Sequence, residues 1–237
     1  MAQRSETCFH HALVLAEIHR MEEDIAALVQ SLAIWALNTR DLEGAKRLFH
    51  QLVEHHEKRE HYEGQSAAYH QLGRVAQERR DFDAAERWYR KSLEIAKKTN
   101  NLHGPARTYG QLGNLAQTQR KFEEADEYYQ KALNMFEKTN DLYGTAQTYH
   151  QLGIVAEQCR DFYTAERWYR KSLELKEKTN DLHGGAATIH QLGRVAMSKG
   201  NLQQAGTLII RSTRTLLELQ DTHNTAIRTE VSPLVSV

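Results

Sequence analysis

The chain repeats itself every 40 residues. Gln-Leu-Gly triplets begin at Gln71, Gln111, Gln151 and Gln191, and the text around them recurs with them. Tyr69 to Gly73 returns as Tyr149 to Gly153, and Ala85 to Glu94 returns unchanged as Ala165 to Glu174. A period of this length excludes a single central core. Each unit is one supersecondary element that buries its apolar face only against its neighbours, so stability becomes a sum over contacts between adjacent units. Asp41-Leu42-Glu43-Gly44-Ala45 falls under Asp81 to Ala85, and Phe9, Ala12 and Leu13 fall under Phe49, Leu52 and Val53. The units are therefore read as 25–64, 65–104, 105–144, 145–184 and 185–224, with a half-unit helix over 1–24 and a tail over 225–237.

Within a unit the apolar residues follow the helical period twice. Tyr69, Leu72, Gly73 and Ala76 share one face, spaced i, i+3, i+4 and i+7. Phe82, Ala85, Tyr89, Ser92, Leu93 and Ala96 share a face of a second helix. A tight turn joins the two, with Asp41, Asp81, Asp161 and Asn201 placed to cap the second helix, whereas Lys121 breaks that row. The recurring Gly64, Gly104, Gly144 and Gly184, with Pro105 behind Gly104, place the start of each first helix near 65, 105, 145 and 185. Gly73 and Ala85 and their copies are small enough for helix axes to approach closely. The fold class is all-α, with stacked antiparallel helix pairs.

These residues resemble the tetratricopeptide repeat. The family pattern is an aromatic, two residues and Leu-Gly, then a small residue; in the second helix it is Ala, an aromatic and a small residue. Here that is Tyr69, Leu72-Gly73, Ala76, Ala85, Tyr89 and Ser92. It recurs as Tyr109, Leu112-Gly113, Ala116, Ala125, Tyr129 and Ala132, and again from Tyr149 to Ser172. The fifth unit is looser, with Ile189 and Ile209 for the aromatics, and the first is weakest. The resemblance covers about 25–224 and implies a right-handed α-solenoid. Two departures stand out: the usual period is 34, and Lys97, Glu137 and Glu177 occupy the place of a Pro that commonly ends the second helix. Without it the second helix is expected to run on by about a turn. Such long repeats are similar to those of kinesin light chain, Pins-type adaptors and bacterial STAND-associated arrays. HEAT and armadillo repeats share a period near this one but not the Leu-Gly and Ala-Tyr spacing.

Composition narrows the function. Lys and Arg number 31 and so do Asp and Glu, which weighs against nucleic-acid binding and against a polybasic membrane segment. The N-terminal stretch lacks the layout of a signal peptide, no run approaches a membrane span, and Cys8 and Cys159 lie far apart, as free thiols in a reducing compartment would. The expected location is cytoplasmic. No phosphate loop or nucleophile elbow is present, so no enzyme, cofactor or metal is expected. His56-Glu57-Lys58-Arg59-Glu60-His61 misses a zinc helix, because its histidines are five apart, about 140° around a helix. Cys8 with His10 and His11, and His55 with His56, read as exposed surface residues.

In the resembled family the first helices line a concave surface, and Gln71, Gln111, Gln151 and Gln191 correspond to places where kinesin light chain and Pins-type proteins carry an Asn that contacts peptide backbone. A Gln offers both donors and an acceptor, and units about 10 Å apart would meet every third residue of an extended chain. Packing beside Leu at the helix seam is the competing role. His70, His150 and His190 are expected to line the groove, too far apart to share a metal. Arg74, Asn114, Ile154 and Arg194 form a variable row; Arg107 and Gln147 belong to another, with Ala67 and Ala187; Gln77, Gln117, Glu157 and Met197 form a third. If these rows select a ligand, Arg74, Arg107 and Arg194 favour acidic character; ordinary solvated variation is the alternative. The expected function is a non-enzymatic scaffold that binds a partner's peptide segment. The rival is a regulatory array that self-associates or docks onto another domain, because Leu13, Val14, Leu15 and Ile18 at one end, and Leu208, Ile209, Ile210, Leu216, Leu217 and Leu219 at the other, are apolar on more than one side.

Overall fold

The computed structural model describes residues 22–231, with side chains described over 25–220. The helix expected ahead of residue 25, with Cys8, His10 and His11, and the segment with Pro233, lie outside the described residues. Ten helices and no strand are present among them: α1 (Glu22–Asn38), α2 (Leu42–Lys58), α3 (Tyr62–Glu78), α4 (Phe82–Ala96), α5 (His103–Thr118), α6 (Phe122–Lys138), α7 (Leu142–Gln158), α8 (Phe162–Lys178), α9 (Leu182–Ser198) and α10 (Leu202–Val231). They divide into two compact units, one ending at Gln119 and one beginning at Arg120. In the first, α1 to α5 each pack on the next, and α3 also touches α5; in the second, α6 to α10 do so in sequence.

The two-stripe pattern is what packs. Ala45, Ala85, Ala125, Ala165 and Ala205 are no more than 2% exposed, and Phe49, Tyr89, Tyr129 and Tyr169, four residues on, no more than 1%. In the first unit Val29, Ala33, Phe49, Leu52, Leu72 and Val75 share a core with the flanks of Trp35 and Trp88. In the second, Tyr169, Leu192 and Val195 gather Ile154, Phe162, Leu173 and Leu208. Glycine is required where the tyrosine lies. A Cβ on Gly153 would stand 2.5 Å from the Tyr169 ring, and one on Gly73 would collide with the Tyr89 ring. Buried hydroxyls tie the pairs together, Ser172 Oγ donating to Ala146 O at 2.8 Å and Ser212 Oγ to Ala186 O at 2.8 Å.

The turns fall on a beat of 20 residues. Arg40, Glu60, Arg80, Arg120, Asn140, Arg160, Asn180 and Gly200 all adopt positive φ, each in a short turn that ends one helix ahead of the next. The expected caps form: Asp41, Asp81 and Asp161 accept from the backbone N–H three residues on at 2.9–3.0 Å, and Asn201 from Gln204 N at 3.1 Å. Lys121 makes no side-chain cap bond.

Three expectations need correction. The first helices begin two to three residues earlier than placed, at Tyr62, His103, Leu142 and Leu182. In α7 and α9 capping accounts for it, since Asp141 and Asp181 accept from Gly144 N and Gly184 N at 2.8 and 2.9 Å and bring the glycines inside the first turn; His61 before α3 makes no such bond. The longer second helix is present in α6 and α8, which contain Glu137 and Glu177, but α4 stops at Ala96 with Lys97 as its cap. The side chain at this place differs between the units. The Phe136 ring lies over Gly144, and buried Lys176 donates to Gly184 O at 3.2 Å, each holding the last turn against the next helix. Ala96 is buried but leaves the space at Gly104 open, where a Cβ would meet no atom within 4 Å. Lastly, the tail read over 225–237 is not set off by a turn. α10 is uninterrupted to Val231, and Gln220 stands where Asn140 and Asn180 turn the chain.

Candidate partner-binding face

The predicted site residues sort by unit. His70, Gln71 and Arg74 lie on α3 and Arg107, Gln111 and Asn114 on α5, all in the first unit. Gln147, His150 and Gln151 lie on α7 and His190, Gln191 and Arg194 on α9, all in the second. The four glutamines are all half-buried, in keeping with one register, and three are engaged one turn ahead on their own helix. Gln71 Oε1 accepts from Arg74 Nη1 at 3.0 Å, Gln111 Oε1 from Asn114 Nδ2 at 3.4 Å, and Gln191 Oε1 from Arg194 Nη1 at 3.0 Å. Ile154 offers Gln151 no such donor. The carbonyl is thus oriented from within, and the amide N–H₂ is the end such a Gln can present to a ligand.

Two of the three histidines do different work from the groove lining expected of them. His70 is 8% exposed and its Nδ1 lies 2.9 Å from Thr108 Oγ1, which spends its own proton on Gly104 O at 3.1 Å. The His70 Nδ1–H is therefore the donor, and the imidazole is a strut from α3 to α5. His150 repeats this toward Thr188 Oγ1 at 3.1 Å, joined there by Lys176 Nζ at 2.9 Å. Burial first, then the charges of Arg107 and Arg74, hold the His70 pKa down to about 3; burial, then Lys176, hold that of His150 at about 4. Both rings are neutral at physiological pH. His190 is exposed.

Charge separates the two units. Arg74 is half-buried, Arg107 is exposed, and neither has a carboxylate partner among the described residues. Beside them Gly110 opens a gap in the histidine row, since a Cβ there would meet nothing within 4 Å. In the second unit Arg194 is neutralised by Glu157 at 3.0 Å, and Glu157 also accepts from Tyr169 OH at 2.9 Å. Gln77 accepts likewise from Tyr89 OH at 2.9 Å. The row read as variable selectors thus holds the hydroxyls of the buried tyrosines at two of its places.

Sequence reasoning missed three groups. One is an aromatic stack between helices: Tyr69 on Trp88 at 5.7 Å and Tyr149 on Trp168 at 5.4 Å, each under a lysine, Lys91 or Lys171. The exact copy of Trp-Tyr-Arg-Lys between units was the signal for it. Another is a cleft of about 330 Å³ beside that stack in the second unit, lined by Glu137, Leu142, Thr145, Tyr149, Lys171 and Glu174. The last is His56 with His61, whose Nδ1 atoms stand 3.1 Å apart. The helical angle separates them only on an unbroken helix, and the chain reverses at Glu60 (φ 53°). Among the described residues no group of three or more His, Cys, Asp or Glu is placed to hold a metal ion, and no described helix is long and apolar enough to cross a membrane. Cys159 is free and exposed.

A family model, the tetratricopeptide repeat, matches residues 23–98 and 104–178. The chain belongs to the tetratricopeptide repeat family. Members are typically non-enzymatic scaffolds, and this TPR fold supports protein–protein interaction in general. Solved TPR structures share it. BtubC (BKLC) from P. vanneervenii superposes with a TM-score of 0.83 at 18% identity, over 93% of this chain and 92% of that one. A kinesin light chain of nearly identical TPR-like repeats from Podosopora anserina gives 0.66 at 20%, over 81% and 95%. Aspartyl phosphate phosphatase F from Bacillus subtilis gives 0.67 at 12%, over 81% and 60%. At these identities the likeness concerns the fold alone. No curated protein matches the sequence significantly.

Proposed function

We propose that this TPR chain is a non-enzymatic, cytoplasmic scaffold that holds a partner's peptide segment on its first helices. Five repeats, over 25–64, 65–104, 105–144, 145–184 and 185–224, would carry the face. The observation behind this reading is the first unit's surface: two guanidiniums without carboxylate partners, Arg74 and Arg107, flank half-buried Gln71, Gln111 and Asn114 beside the gap at Gly110. Amide groups held in one orientation suit peptide backbone, and the guanidiniums suit an acidic side chain. The second unit carries its own glutamines, Gln151 and Gln191, with less charge to offer, since Arg194 is paired to Glu157.

Fluorescence polarisation with a library of labelled extended peptides graded by net charge tests this. Acidic peptides bind, Arg107→Glu weakens them by about ten-fold or more, and Gln111→Ala/Gln151→Ala weakens acidic and neutral peptides alike. Binding that ignores all of these changes, or no binding at all, sinks the reading. A second reading, a regulatory array acting by self-association or by docking onto another domain, is favoured by the apolar outer side of α10.

A further inference from the structure

The cleft in the second unit is a place that the neighbouring repeats fill with their own side chains. Glu137, at the end of α6, and Lys171, on α8, return forty residues on as Glu177 and Arg211. There the chain closes the pair itself, with Arg211 Nη2 3.2 Å from the Glu177 carboxylate. At the cleft it does not. Lys171 Nζ stands over the rings of Tyr149 and Trp168, 5.2 and 4.9 Å from their centres, and among the described residues Glu137 accepts only from the Tyr149 hydroxyl, at 2.8 Å. In the first unit Leu142 and Thr145 have the larger Tyr62 and Gln65 as equivalents; Gln65 is buried, and Lys98 lies over the Tyr62 ring. With Leu142 and Thr145 in those places about 330 Å³ stays open. That is the small end of the range for ligand clefts, about 300–1,000 Å³.

The walls keep acceptors and have spent most of their donors. The Tyr149 hydroxyl goes to Glu137, and the Thr145 hydroxyl goes to Asp141 O at 2.8 Å. Glu174 Oε1 takes Lys178 at 2.8 Å, so each carboxylate of the lining keeps a second oxygen. Leu142 and Leu175 supply the apolar part of the lining. A guest has to bring donors and a positive charge on a stem that apolar side chains can cover. An arginine side chain does this: its fork of five N–H donors suits carboxylates, and its guanidinium is weakly hydrated. We infer that the cleft takes an arginine side chain of a protein partner, in the role that Arg211 plays for Glu177. Lys171 belongs to the same lining and is the charge that competes with such a guest. Tyr149 lies two residues from Gln151, about 200° around α7, so the cleft faces away from the glutamine row and forms a contact site separate from it.

The test is a titration of the full chain with a short host peptide carrying one central arginine, followed through the methyl resonances of Leu142 and Leu175. The arginine peptide shifts both methyls and saturates with a dissociation constant of about 1 mM. The same peptide with citrulline, which keeps the shape and loses the charge, shifts neither. Glu137→Gln can still accept from Tyr149, so it keeps the melting temperature, and it weakens the arginine peptide about five-fold or more. Lys171→Ala strengthens it. Gln111→Ala/Gln151→Ala leaves these shifts unchanged, so the cleft and the glutamine face stand or fall separately. No shift at Leu142 and Leu175 up to about 10 mM peptide, an equal response to citrulline, or a Lys171→Ala chain that binds more weakly overturns the arginine site. Free agmatine binding more tightly than the peptide overturns its assignment to a protein partner.

Discussion

Tyr169 fills the space that Gly153 leaves and gives its hydroxyl to Glu157, so one side chain sets both the spacing of α7 from α8 and the orientation of a surface carboxylate. Gly153→Leu should therefore overpack the contact and cost about 1–3 kcal/mol by urea denaturation, and Gly73→Leu should do the same against Tyr89. The buried imidazoles predict a pH dependence with a definite sign. His70 and His150 are lowered from 6.5 to about 3 and about 4, so the unfolded chain binds more protons below 6.5. Stability is then lost as pH falls from about 6.5 toward 4, by up to about 1.4 kcal/mol per unit for each ring. In His70→Gln/His150→Gln the melting temperature should fall less over that window. An unchanged slope would mean that the rings are not neutral struts.

Each helix and its turn occupy 20 residues, and the turns are where elements gain or lose stability. Lys121 puts a cation at a helix N-terminus where its equivalents place an accepting carboxylate or amide. Lys121→Asn should add about 1 kcal/mol and Asp81→Ala should remove a similar amount, both read from urea midpoints. Asn is the better test than Asp, because Glu123 and Glu124 follow directly. The shortened α4 has an equally local cause in Ala96. Ala96→Phe, copying Phe136 over Gly144, should extend α4 toward the length of α6, visible as protection of the 97–99 amides from hydrogen exchange. Unchanged exchange there would show that the Asn100-Asn101 turn, and not the missing side chain, ends the helix.

At the scale of the molecule the balance of 31 cations and 31 anions conceals a division of charge. The outer helices pair their charges along themselves, as in Arg90–Glu86 at 2.5 Å and Lys178–Glu174 at 2.8 Å, and the second unit pairs Arg194 with Glu157. Arg74 and Arg107 are left to act on whatever approaches the first unit. Acidic-peptide affinity should fall steeply as salt rises past about 0.1 M, where screening sets in, and Arg107→Ala should flatten that dependence far more than Arg194→Ala. Equal effects from both would place the charge selection elsewhere.

The helix pairs, their order, the caps at Asp41, Asp81, Asp161 and Asn201, and the missing cap at Lys121 were legible from the chain alone. Periodicity and capping depend on residues within one or two turns of each other, and a 40-residue copy repeats the signal several times over. The candidate residues were legible as positions on their helices but not in what they touch. Whether His70 faces a ligand or braces Thr108, whether Glu157 selects or holds Tyr169, and whether Arg194 is available all depend on groups some 12 to 38 residues away, brought together by packing. His56 and His61 show the same limit, since a left-handed turn at Glu60 overrides the angle that a helix would impose. The sequence by itself determined which residues share a face of a helix, because that is set by the backbone period. Only the tertiary structure decided which of those faces were already spoken for, because a hydrogen bond or ion pair is claimed by whichever partner packing brings within about 3 Å.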